Sequence, residues 1–108
     1  MTSISAVLRA ADARLTPETW TQQVCLEHMQ GKECAYLAID AVTRNGQQRR
    51  AALAVFARVV SGTEELIGIW LWNDRADTTL ADVHAAFSAA VAIAQSQEQP
   101  VREEVPCG

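Results

Sequence analysis

The sequence predicts a mainly α-helical single domain of four to five short helices, and three observations carry that expectation. Nineteen of the 108 residues are alanine, the strongest helix former, while aromatics are only 6%. Several stretches repeat apolar residues at spacings of three and four, as a helix with one buried face requires. Helix starts are written into the chain by capping chemistry at Thr16-Pro17-Glu18 and at Thr79-Leu80-Ala81-Asp82. A chain of this length buries roughly two-thirds of its unfolded surface, enough for one core. Residues 1–97 read as that globular domain. Residues 98–108 read as a polar, proline-containing tail without fixed structure.

Taken in order, residues 3–15 place Ile4, Val7, Leu8, Ala11 and Leu15 on one helical stripe and Arg9, Asp12 and Arg14 off it, with Thr2 or Ser3 as cap. Thr16-Pro17-Glu18 opens a turn or short helix carrying Trp20-Thr21-Gln22. The pattern from Thr21 to Lys32 is poor. From Cys34 to Val42, Cys34, Leu37, Ala38 and Ala41 fit a helix, with Tyr36 and Ile39 widening the face; Asn45-Gly46 is read as its end.

Residues 47–60 fit a helix burying Ala52, Val55, Phe56 and Val59, or a strand with Leu53, Val55, Ala57 and Val59 on one face. The alanines, and Thr63-Glu64-Glu65 as a cap followed by acids, favour helix. Gly68 and the Ile/Trp content of residues 66–72 speak for strand. An α+β fold with a small hairpin at about 52–72 is therefore the alternative. The last helix, 80–97, is capped by Thr79 with Asp82 three residues on, is anchored by Phe87 on the stripe Leu80, Val83, Phe87, Ala90, Val91 and Ala94, and is stopped by Pro100.

The net charge is −4, and no basic stripe is visible, so nucleic acid is not an expected partner. No apolar run approaches the ~20 residues that span a bilayer, and the N-terminus lacks a basic, then apolar, leader. The expected location is the cytoplasm. Three cysteines, Cys25, Cys34 and Cys107, are an odd number, which argues against a secreted disulfide framework.

Cys25-x2-His28 is half of a zinc knuckle and no second half follows, so neither metal nor cofactor is assigned. Cys34 near a helix start, with His28 or His84 as base, has the elements of an activated nucleophile. Its place on the apolar stripe makes a core thiol the better reading. Asp74 and Asp82 do not form a catalytic pair, because Asp82 is explained as a cap partner. No catalytic set is assigned. The candidate binding residues are Trp20, Gln22, Cys34, Trp72, Asn73 and Asp74; the simpler account of the Trp72-Asn73-Asp74 corner is a packed indole followed by a helix end and a turn.

Several of these residues also carry a family resemblance. Trp20-Thr21-Gln22, then Cys34-Ala35 opening an alanine-rich segment, then Trp72-Asn73-Asp74 followed by Thr79 and Asp82-Val83, resemble DUF6197, a group of small actinobacterial and phage proteins of unknown function. The likeness runs over about residues 5–92. Thr19 stands where the family has Gly before Trp, Leu37 replaces the Gly of its Cys motif, and Asp77 and Thr78 occupy the place of a basic residue. The resemblance implies a mainly helical domain and lends no activity.

The expectation is a small cytoplasmic protein-protein interaction or accessory factor, from a phage or mobile element as the resemblance implies. Its partner is a protein, either another copy of the chain or a different one, and neither nucleic acid nor membrane. The alternative is a small ligand-binding domain or enzyme with a pocket built from the six candidate residues.

Overall fold

Five helices follow one another in the computed structural model, which describes residues 3–22 and 33–98: α1 (Ile4–Arg14), α2 (Ala35–Val42), α3 (Gly46–Ser61), α4 (Ile67–Asn73) and α5 (Leu80–Glu98). The protein is a mainly α single domain. Residues 52–72 are helical except for the 62–66 link, so the hairpin alternative is set aside; among the described residues the isolated bridge joins Trp20 and Glu33 in parallel.

α1 lies against α5, α2 and α3, while α3 also meets α5 and α4. Ser3 caps α1, its hydroxyl accepting from the Ala6 amide at 3.1 Å. Val7, Leu8, Ala11 and Leu15 enter the core as their spacing predicts. At the centre Phe56 stacks on Phe87 with ring centroids 4.4 Å apart, and both are fully buried. The small Ala52, Ala57, Ala86, Ala90 and Ala94 let the helices approach around this pair.

α5 starts as expected: Thr79 Oγ1 accepts from the Asp82 amide at 3.1 Å, and the Asp82 carboxylate accepts from the Thr79 amide at 3.0 Å. This reciprocal box satisfies two amides that the first turn would otherwise leave unpaired. α5 runs one residue past the expected boundary. Glu98, assigned above to the tail, is helical, and its carboxylate accepts from the Ser5 amide at 3.0 Å and the Ser5 hydroxyl at 2.8 Å. The end of α5 thus satisfies the start of α1, where a negative charge also suits the helix dipole. Residues 99–108 lie outside the described ones. Asp12 and His84 Nδ1 add a second tie between the two helices.

Other details differ from the sequence reading. Asn45-Gly46 begins α3 and does not end α2: Asn45 Oδ1 accepts from the Gln48 amide at 2.9 Å. An Asn side chain serves a cap as readily as a turn, so the pair alone is ambiguous. α2 buries Ala35, Ala38 and Ile39 and leaves Ala41 exposed, a small rotation of the expected face. α3 buries Leu53 and Ala57 beside Ala52 and Phe56, with Val55 and Val59 half-buried at the margin. Thr63 caps no helix; its hydroxyl accepts from Glu65, and α4 starts two residues later without a side-chain cap.

Gly62 ends α3 in the left-handed conformation (φ 81°), which glycine adopts without strain. Gly68, taken above as a hint of strand, is a helix-helix contact. A Cβ there would stand 2.6 Å from Ser61 Oγ and 2.8 Å from Ser61 Cβ.

Candidate functional site

The site is assembled by the short irregular segment that follows α1, together with Glu33 and Cys34 just before α2. After Leu15 the chain turns at Thr16, whose carbonyl accepts from the amides of Thr19 and Trp20 at 3.0 and 2.9 Å. Thr19 Oγ1 donates to the Arg14 carbonyl at 2.7 Å and locks the turn to the end of α1. The bridge to Glu33 then extends the chain, with the Thr21 amide donating to the Glu33 carbonyl at 3.1 Å. Arg14 clamps the Glu33 side chain through two hydrogen bonds of 2.9 and 2.6 Å, and that pairing holds the Arg14 pKa above its ordinary value. The segment is thereby placed beside the end of α4.

There it meets Asn73, which is fully buried. Asn73 Oδ1 accepts from Trp20 Nε1 at 2.9 Å and from the Ala35 amide at 3.2 Å. Its Nδ2 donates to the Thr21 carbonyl at 3.1 Å and to Asp74 Oδ1 at 3.2 Å. A primary amide has two donor hydrogens and two acceptor lone pairs, so all four positions are occupied. Next to it, Gln22 Nε2 sits among three carbonyls, those of Asn73 (2.9 Å), Arg75 (2.6 Å) and Thr78 (3.3 Å). Thr78, buried, donates its hydroxyl to the Trp72 carbonyl at 2.7 Å. One amide side chain ties the last turn of α4, the Trp20–Gln22 segment and the first turn of α2 together, and a second satisfies the carbonyls of the corner leading to α5.

Of the six candidate residues, Trp20, Gln22, Asn73 and Asp74 therefore come together. Cys34 adjoins them as the N-terminal flank of α2, one residue before the bonded Ala35 amide. Trp72 turns away and packs edge-on against Phe56, with centroids 5.9 Å apart. Asn73 is the last helical residue, and the following Asp74 has φ −93°, so α4 ends without a left-handed residue at its cap. Cys34 is buried as expected but is disulfide-bonded rather than a core thiol, which removes the nucleophile reading. The other cysteines, Cys25 and Cys107, and His28 lie outside the described residues. Among the described residues, no three His, Cys, Asp or Glu side chains are grouped to hold a metal ion. No helix among them is long and apolar enough to cross a membrane.

The cluster's chemistry is that of a clasp, with the mapped polar atoms bonded to one another. The sequence reading missed Thr78, whose hydroxyl and carbonyl both join it. It also missed the opposite side of α4, where Ile67 and Leu71 are 49 and 65% exposed and Trp70 is half-buried. Their spacing of three and four was the available signal, hidden because every residue from Ile69 to Trp72 is apolar. Trp70 Nε1 is buried and has no hydrogen-bond partner among the described residues.

The fold and the clasp define a small helical domain in which three distant motifs are drawn to one asparagine. The chain belongs to DUF6197, a family of unknown function whose model matches residues 1–93. The three motifs that suggested this family are the ones that Asn73 joins. No curated protein and no solved structure matches the chain.

Proposed function

We propose that the protein is a small interaction factor, an accessory to another protein rather than an enzyme. The observation that supports this is the outer side of α4. Ile67 and Leu71 are exposed side by side on a helix whose inner side, Ile69 and Asn73, is sealed in the core. Single exposed aliphatics are ordinary on a protein surface, but adjacent ones beside a half-buried tryptophan form a contact face. The clasp residues supply the rigidity that presents it.

Affinity capture from the organism that encodes the chain tests this, with wild-type protein and an Ile67→Ser/Leu71→Ser variant in parallel. The expected result is a stoichiometric partner held by the wild type and reduced with the variant. Recovery of no protein under gentle crosslinking would overturn the reading. The cytoplasm is the proposed compartment, and the Cys34 disulfide bears directly on it, because cytosolic thiols are normally kept reduced. Thiol trapping in intact cells decides this: alkylated Cys34 supports the cytoplasm, and oxidised Cys34 assigns an oxidising compartment.

A further inference from the structure

Cys34 sits inside the framework that holds the end of α4. It is fully buried and disulfide-bonded. It is the residue before α2, and its carbonyl accepts from the Ala38 amide at 3.0 Å. Both of its chain neighbours carry the framework's bonds. On one side, the Glu33 amide donates to the Thr19 carbonyl at 2.7 Å, its carbonyl accepts from the Thr21 amide at 3.1 Å, and its carboxylate is clamped by Arg14. On the other side, the Ala35 amide donates to Asn73 Oδ1 at 3.2 Å. That oxygen also takes the Trp20 indole N–H at 2.9 Å. A crosslink at Cys34 therefore acts one residue away from each of these groups. The chain holds two other cysteines, Cys25 and Cys107, as partners for it.

We propose that the Cys34 disulfide is a redox-sensitive lock on the Asn73 clasp. Oxidised, it keeps the start of α2 where Asn73 bonds it; reduced, it lets that contact open. The physical cause is entropy. A crosslink at Cys34 removes chain freedom that would otherwise be lost when Glu33 and Ala35 are held in place. By linkage, the clasp favours the disulfide by the same factor as the disulfide favours the clasp. The element governed is α4, which has seven residues, no side-chain cap and Asn73 as its last residue. Reduction runs as two thiol–disulfide exchanges. A glutathione thiolate attacks one sulfur, breaks the S–S bond and frees one cysteine thiolate. A second glutathione resolves the mixed disulfide and frees the other. Two electrons pass from the glutathione, which leaves as its disulfide, and two protons end on the protein thiols. Two states of one chain suffice for this, with no partner required.

The test uses the full chain in glutathione buffers of stepped redox poise, with alkylation and mass measurement to count and map the disulfide. Protein purified without reductant should carry one disulfide that includes Cys34. Hydrogen exchange at the Ala35 amide and at Trp20 Nε1, followed by NMR, should speed up about tenfold or more on reduction, with the Phe87 amide in α5 changing less. Cys34→Ser should match the reduced protein. One of Cys25→Ser and Cys107→Ser should match it too, and the other should match the oxidised wild type; that pair separates the crosslink from the packing of the Cys34 sulfur. Trp20→Phe keeps a ring but removes the indole donor, and it should shift the glutathione equilibrium about fivefold or more towards the thiols. Ser3→Ala removes the cap of α1, away from the clasp, and should not shift it. Equal exchange rates in the two redox states would overturn the proposal. So would free Cys34 in protein purified without reductant, or the same equilibrium for Trp20→Phe as for wild type.

Discussion

α4 and α5 are adjacent in the chain, yet they are stabilised in opposite ways. α5 has 19 residues, a reciprocal cap at Thr79 and Asp82, and a stripe of Val83, Phe87, Ala90 and Ala94 that enters the core. Everything that makes it a helix lies within its own sequence. α4 has seven residues, no side-chain cap, a glycine in its first turn and apolar residues on all sides. A helix that short is marginal in water, because forming the first turn costs more than so few further bonds return. Its conformation is imposed from outside, by Gly68 against Ser61, by Trp72 against Phe56 and by the four bonds of Asn73. One helix is set by local chemistry and the other by tertiary contacts, among them Asn73 bonds to partners 38 to 53 residues away. The same short helix, held so firmly on one side, carries its exposed apolar residues on the other.

The contrast can be broken most sharply at Asn73. Asn73→Ala strands the buried Ala35 amide and the half-buried Trp20 Nε1, each worth about 1–3 kcal/mol, for a loss of about 2–6 kcal/mol. Chemical denaturation measures it, and a loss below about 1 kcal/mol would mean that α4 does not depend on the clasp. Phe87→Ala should cost about 3–5 kcal/mol by opening a cavity at the Phe56 contact. Denaturation should stay a single cooperative transition, since the ring serves the whole core. A separate early transition confined to α5 would show that the helices are not one unit.

Gly68→Ala comes next, at about 1–3 kcal/mol, the range for overpacking a tight contact. Ser61→Ala should not rescue it, because Ser61 Cβ already stands 2.8 Å from the position of the new methyl. Full rescue in a melt of the double variant would refute the contact. Thr79→Ala is the smallest effect, about 0.5–2 kcal/mol for a lost cap. Amide exchange should speed up in the first turn of α5 while α4 keeps its protection. If α4 loosened as much, its independence from the α5 cap would be wrong.

Much of the molecule was legible along the chain, and the pattern of what was not is instructive. Thr79 and Asp82 were readable because cap and partner are three residues apart. Leu8, Phe56 and Phe87 were readable because burial repeats with the helix. Asn45-Gly46 was misread because the same dipeptide can close one element or open the next, and only the chain's direction afterwards decides. Glu98 looked like the start of a polar tail because its partner, Ser5, lies 93 residues away. Trp20, Gln22, Asn73 and Asp74 were singled out together as candidate binding residues, with a helix end and turn as the simpler account of the corner; the bonds that join them into one cluster span 51 to 53 residues and were not readable.

The sequence by itself determined the class of the fold, the identity of α1 and α5 as helices, and the family, and it favoured helix over strand for α3 without deciding it. Those follow from alanine content, from spacing and from short-range capping, all of which act within one or two helical turns. The tertiary structure alone decided between helix and strand at residues 67–73, where apolar residues on every side erase any periodicity. It also decided which side of α4 is sealed and which is open. An asparagine in the core is stable only when every polar atom finds a partner. Whether Asn73 could do so depended on where Trp20, Thr21 and Ala35 came to rest, which no local pattern records.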